Sequence, residues 1–142
     1  MRVVERKEIT ADDFVAGLIA EFARRRYAAL SIRDQHLYEA SVAAFKRLED
    51  LASDYGLVVD FFVIQDPMYG DSPVVRAAIA EAVQMNLVSL DNPTFRDMRI
   101  RLGEEEALHL LDQLPGGPEL YRQLGDAFLE NFDNLSHGHR VA

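Results

Sequence analysis

Phe14, Leu18 and Phe22 recur at spacing four, with Val15 and Ile19 beside them, and this stripe predicts an amphipathic helix from Thr10 to about Tyr27. Thr10 is placed to accept from first-turn amides, and Asp12 and Asp13 suit the positive end of the helix dipole. A second stripe, Tyr38, Val42, Phe45 and Leu48, continued by Leu51 and Tyr55, predicts a longer helix from about Arg33 to Tyr55, stopped by Gly56. The run Leu57 to Gln65, LVVDFFVIQ, is β-branched and aromatic and is expected to be a strand. Ser72 followed by Pro73 marks a helix start, and Val75, Ile79, Ala82 and Val83 form its inner stripe as far as Asn86.

The next segment changes period. Leu87 to Leu90 reads as a strand, Asp91-Asn-Pro93 as a turn, and Thr94 to Leu102 as the returning strand. On that second strand Met98, Ile100 and Leu102 share a face, so Arg99 and Arg101 point the other way. Arg96 is in phase with the apolar set, which places it near the turn. A fourth helix opens on three glutamates after Gly103 and packs through Ala107, Leu110, Leu111 and Leu114. After the break Pro115-Gly-Gly-Pro118, a fifth helix, about Glu119 to Phe132, packs through Leu120, Leu124, Ala127 and Phe128. The expected architecture is α+β and helix-rich: about five helices with a small antiparallel hairpin sheet, one globular domain over residues 1–134, and a disordered tail over 135–142.

Composition narrows the function classes. The chain of 142 residues is 49% hydrophobic and 27% charged, the balance of a globular protein. No apolar run reaches the ~18 residues of a membrane span. The start, MRVVERKEIT, is charged throughout and lacks the apolar core of a signal peptide, so the expected compartment is the cytoplasm. There are no cysteines, which removes disulfides, thiolate metal sites and thiol nucleophiles. With 24 acids against 15 bases the net charge is −9, and a field of that sign opposes a phosphate backbone unless the cations are segregated.

Helix, strand, helix, hairpin, helix is the order around a winged-helix core. The run DPMYGDSP leading into a helix, then MNLVSL, a turn and RIRL, resembles the C-terminal half of bacterial winged-helix-like domains of the SocA antitoxin-like kind, in which a Tyr-Gly precedes the third helix. The resemblance covers about residues 57–114 and rests on Tyr69, Gly70 and the hairpin. It implies a winged-helix-like centre.

No catalytic motif is present. The paired glycines, Gly116 and Gly117, sit in a helix–helix turn and follow no strand, and there is no Gly-x-Ser-x-Gly elbow. His137 and His139 form a His-x-His pair with no third ligand nearby, so neither a metal nor a cofactor is expected. Asp60 interrupts an apolar run and should reach solvent or an arginine; with Tyr69 it could line a small cleft at the loop 65–72. The contact residues singled out are Arg76, Arg96, Arg99, Arg101 and Tyr69. The function expected from them is a non-catalytic protein–protein interaction module that binds another protein or itself as a homodimer, in a larger assembly or as a neutralising, antitoxin- or immunity-like protein. Two alternatives stay open. One is a winged-helix-like DNA-binding regulator using Arg99, Arg101 and Arg76, against which counts the scarcity of cations on the third helix. The other is an acidic inhibitor mimicking DNA, with carboxylates in rows.

Overall fold

A computed structural model describes residues 7–31, 36–68, 70–90, 97–135 and 139–140. Its elements in chain order are β1 (Lys7–Ile9), α1 (Ala11–Arg24), β2 (Tyr27–Ser31), α2 (His36–Leu51) with a 3-10 turn (Ala52–Tyr55), β3 (Leu57–Val59), α3 (Pro73–Gln84), β4 (Val88–Leu90), β5 (Asp97–Ile100), α4 (Glu104–Gln113), α5 (Gly117–Leu135) and β6 (His139–Arg140). The α+β, helix-rich class is as expected. The expected start of α2 at Arg33, the hairpin turn at 91–93 and the first residues of the returning strand, 94–96, lie outside the described residues.

The helix starts follow from local chemistry. Thr10 Oγ1 accepts from Asp13 N at 3.1 Å while Asp13 Oδ2 accepts from Thr10 N at 3.1 Å, a reciprocal cap. Ser72 Oγ accepts from Val75 N at 3.3 Å, with Pro73 in the first turn. Glu106 Oε1 accepts from Gly103 N at 3.2 Å at the start of α4. Gly56, at φ 66°, takes the left-handed turn that releases the chain into β3.

The sequence predicts one apolar stripe on α1, but all ten residues from Phe14 to Ala23 are buried. The reason is position: α1 is packed by α3, α4 and α5, so it is the central helix of the fold. Phe22 meets Phe128 of α5 with ring centroids 4.9 Å apart, and Phe14 meets Phe45 of α2 at 6.2 Å. Two glycines set the approach of α1 to α5. A Cβ on Gly17 would lie 2.1 Å from the Tyr121 ring, and one on Gly125 would lie 2.8 Å from Glu21 Cγ. Tyr121 is fully buried, and its hydroxyl donates to Pro115 O at 2.8 Å.

The sheet differs from expectation in three places. Tyr27, expected to end the first helix, and residues 28–31, for which no element is expected, form β2. It pairs antiparallel with β5, Ala29 opposite Arg99 and Leu30 opposite Met98, so the four-stranded sheet runs β4-β5-β2-β6. Tail residues His139 and Arg140, expected to be disordered, pair with β2 on its other edge. The strand expected over Leu57–Gln65 keeps a ladder only over Leu57–Val59, parallel to β1.

Candidate interaction surface

Arg99 projects from β5 on the side opposite buried Met98, and Arg101 follows two residues later, also exposed. The period-two reading of that strand therefore holds. Arg99 is not without a partner. The Arg101 backbone N donates to Leu87 O at 2.9 Å, fixing the segment beside the end of α3. Arg76 is exposed in the first turns of α3, where its Nε lies 3.2 Å from Asp71 Oδ2. Eight residues of helical rise, about 12 Å, separate it along α3 from Gln84 at the β4 end. Burial raises the Tyr38 hydroxyl above its ordinary range, helped by the negative charge of Asp71 and opposed by Arg76. Tyr69 and Arg96 lie outside the described residues. The outward face of α3 carries Arg76, Ala77, Ala80, Glu81 and Gln84, one cation against one anion.

The arginine run 24–26 is likewise matched by acids. Glu21 is fully buried and accepts from Arg24 Nε at 2.8 Å and Nη2 at 2.6 Å, and from Arg25 Nε at 2.5 Å. Hydrogen bonding to Glu21 is the main reason the Arg24 guanidinium is held above its ordinary pKa. Arg25 reaches on to α5, donating to Asp126 Oδ1 at 2.8 Å and to Arg122 O at 2.9 Å. Arg26 lies 3.4 Å from Glu104. The run is a strut between helices that also complements the α1 dipole, and its guanidinium heads are drawn to carboxylates of their own chain.

The surface that the sequence reading passed over is the continuation of β3. From residue 57 to 64 the chain alternates. Leu57 and Val63 are buried and Phe61 half-buried, its ring 5.7 Å from Phe14 and 5.2 Å from Phe45. Val58, Asp60, Phe62 and Ile64 face outward, with Phe62 68% and Ile64 66% exposed. In the turn that follows, Asp66 N donates to Asp71 O at 2.6 Å, Gly70 N to Asp66 O at 2.7 Å and Met68 N to Asp66 Oδ1 at 2.7 Å. That bonded turn presents Met68, which is 78% exposed. Among the described residues, 61–65 make no backbone–backbone hydrogen bond, and β3 is paired along one edge only. Exposed apolar side chains in a row beside unpaired backbone groups are the features of a surface that other chains bind.

Two depressions flank α2. An open cleft of about 260 Å³ at the end of the apolar row is lined by Glu39, Gln65, Asp66, Pro67 and Gly70. It is the cleft expected beside this loop, but exposed Asp60 is not in its lining. The other, about 440 Å³, lies between α2 and α5, where Lys46 and Arg47 alternate with Glu39, Asp50 and Glu130. Among the described residues no group of three or more His, Asp or Glu side chains is placed to hold a metal ion, and no helix is long and apolar enough to cross a membrane.

A signal for the apolar row was present in the sequence. LVVDFFVIQ is apolar at both odd and even positions, a pattern that belongs to strands covered on both faces; the fold covers only one. Comparison of the chain with protein-family models, with curated proteins and with solved structures found no match.

Proposed function

We propose that this chain is a protein-interaction module whose contact surface is the apolar row Val58, Phe62, Ile64 and Met68, with the hairpin arginines in a subordinate place. The observation that carries the reading is the exposure of three large apolar side chains, Phe62, Ile64 and Met68, within seven consecutive residues. Covering Phe62, Ile64 and Met68 would contribute roughly 4 kcal/mol. That is at the bottom of the ~4–15 kcal/mol that association costs, so backbone hydrogen bonds or ion pairs must add to it. A neutralising role of the antitoxin or immunity kind is one form such binding takes, and it agrees with the small acidic chain.

The strand order β4-β5-β2, with α3 leading directly into β4, supports reading the centre as winged-helix-like. Such a centre does not itself imply DNA binding. The helix that would enter a groove has one cation on its outward face, and that cation is held by Asp71.

The test compares two variants of the full chain as bait in lysate of the native cell. Phe62→Ser with Ile64→Ser should lose the captured partner, while Arg99→Glu with Arg101→Glu keeps it. Exposed substitutions of this kind shift stability by only about 0.5 kcal/mol, so both variants remain folded. The opposite pattern, or salt-sensitive retention on DNA abolished by the arginine variant, overturns the reading.

A further inference from the structure

The apolar row is not electrically neutral ground. Asp60 stands within it, Asp66 closes it, and Glu39 with Asp66 lines the cleft where it ends. We infer that the occupant of this edge is an extended, basic segment of a partner polypeptide, added beside residues 58–65 as a further strand, with lysine or arginine side chains meeting Asp60 and the Glu39–Asp66 cleft. The inference rests on the interaction reading above and narrows it to a class of partner.

Three observations support it together. From 61 to 64 exposure alternates as it does along a strand, and among the described residues the backbone of 61–65 has no backbone hydrogen-bond partner, which is what strand addition requires. Side chains on the exposed face recur every second residue, so an added strand would set its own alternate side chains among Val58, Phe62 and Ile64. The charged residues in and at the end of the row, Asp60 and Asp66, are both acidic, and a chain of net charge −9 favours the approach of cations in general.

The same geometry disfavours a second copy as the occupant. In an antiparallel pairing of this segment with itself, the register that sets Phe62 opposite Ile64 also sets Asp60 opposite Asp66, twice. Like charges directly opposite one another destabilise a strand pair. Moving the register to pair Phe62 with Phe62 sets Asp60 against Ile64, a carboxylate against an apolar group. A basic partner meets neither obstacle.

The test uses the full chain and two fluorescent peptides, one alternating lysine with valine and one alternating glutamate with valine, followed by anisotropy. The lysine peptide is expected to bind at least about tenfold more tightly than the glutamate peptide. Asp60→Asn with Glu39→Gln should reduce that preference severalfold, and Phe62→Ser with Ile64→Ser should weaken lysine-peptide binding about tenfold. A lysine peptide N-methylated along one edge should bind at least about tenfold more weakly than its parent, since the methyl groups remove the donors that a ladder needs. Equal binding of both charge forms overturns the basic partner, and indifference to N-methylation overturns strand addition. Failure of the lysine peptide to bind overturns the inference as well. A dimer in sedimentation that Phe62→Ser abolishes would then identify a second copy and leave the interaction reading standing. That reading falls separately, if the apolar variant captures partners as well as the native chain does.

Discussion

Gly17→Ala adds one methyl group at the tightest point of the fold. Its Cβ would lie 2.1 Å from Cε1 and 2.2 Å from Cδ1 of Tyr121, where carbon contacts need about 3.5 Å, a shortfall of roughly 1.4 Å. The ring has little room to give way, because Tyr121 is fully buried and its hydroxyl is tied to Pro115 O. Overpacking of this kind costs about 1–3 kcal/mol, and the tethered ring places the cost near the top of that span. Alanine in mid-helix returns about 1 kcal/mol relative to glycine, leaving a net loss of about 2 kcal/mol. For a chain of this length that lowers Tm by about 4–8 °C, readable by thermal and urea denaturation with circular dichroism. Tyr121→Leu removes the obstructing ring, so Gly17→Ala in that background should stabilise by about 1 kcal/mol, a coupling of about 3 kcal/mol across the cycle. If Gly17→Ala instead stabilises the otherwise native chain by its helix propensity, α1 and α5 do not meet as described.

Glu21→Ala should destabilise by about 3–5 kcal/mol in denaturant titration, because it leaves two partly buried guanidinium groups without their shared acceptor; Glu21→Gln, which can still accept, should cost about 2 kcal/mol. A neutral or stabilising Glu21→Leu would mean that the network orients the helices without holding them together. Alkaline titration tests Tyr121, whose pKa burial raises above the ordinary 10.0. The raised folded value means that its contribution is fully present below about pH 10 and is lost as pH rises, because the unfolded chain then sheds the proton first. The loss should approach about 1.4 kcal/mol per pH unit above that point, with tyrosinate absorbance from this residue appearing only on unfolding. Normal ionisation of all five tyrosines in the folded chain would contradict this.

Local rules made much of the fold legible. Thr10 and Ser72 could be read as caps because capping needs only a hydroxyl and the residues just after it. The hairpin could be read because Met98 and Arg99 alternate on a strand whose partner, β4, lies shortly before it in sequence. Tyr27–Ala–Ala–Leu–Ser31 could not: two alanines favour no strand, and its pairing comes from β5, some 70 residues on. Glu21 and Arg25 were equally hidden. A local reading assigns Arg25 to the helix dipole, whereas its second partner, Asp126, is 101 residues away. The apolar row was misjudged for a related reason. Alternation tells that Phe61 and Phe62 face opposite ways, but only the placement of α1 and α2 decides that one of those faces stays uncovered.

The enclosure of α1 on every side has a consequence for biosynthesis. Its packing neighbours α3, α4 and α5 all emerge from the ribosome after it, and the last of them ends at Leu135. A nascent chain therefore carries Phe14 to Ala23 without their full shelter until α5 has emerged, and any product halted before α5 should need a chaperone or be degraded.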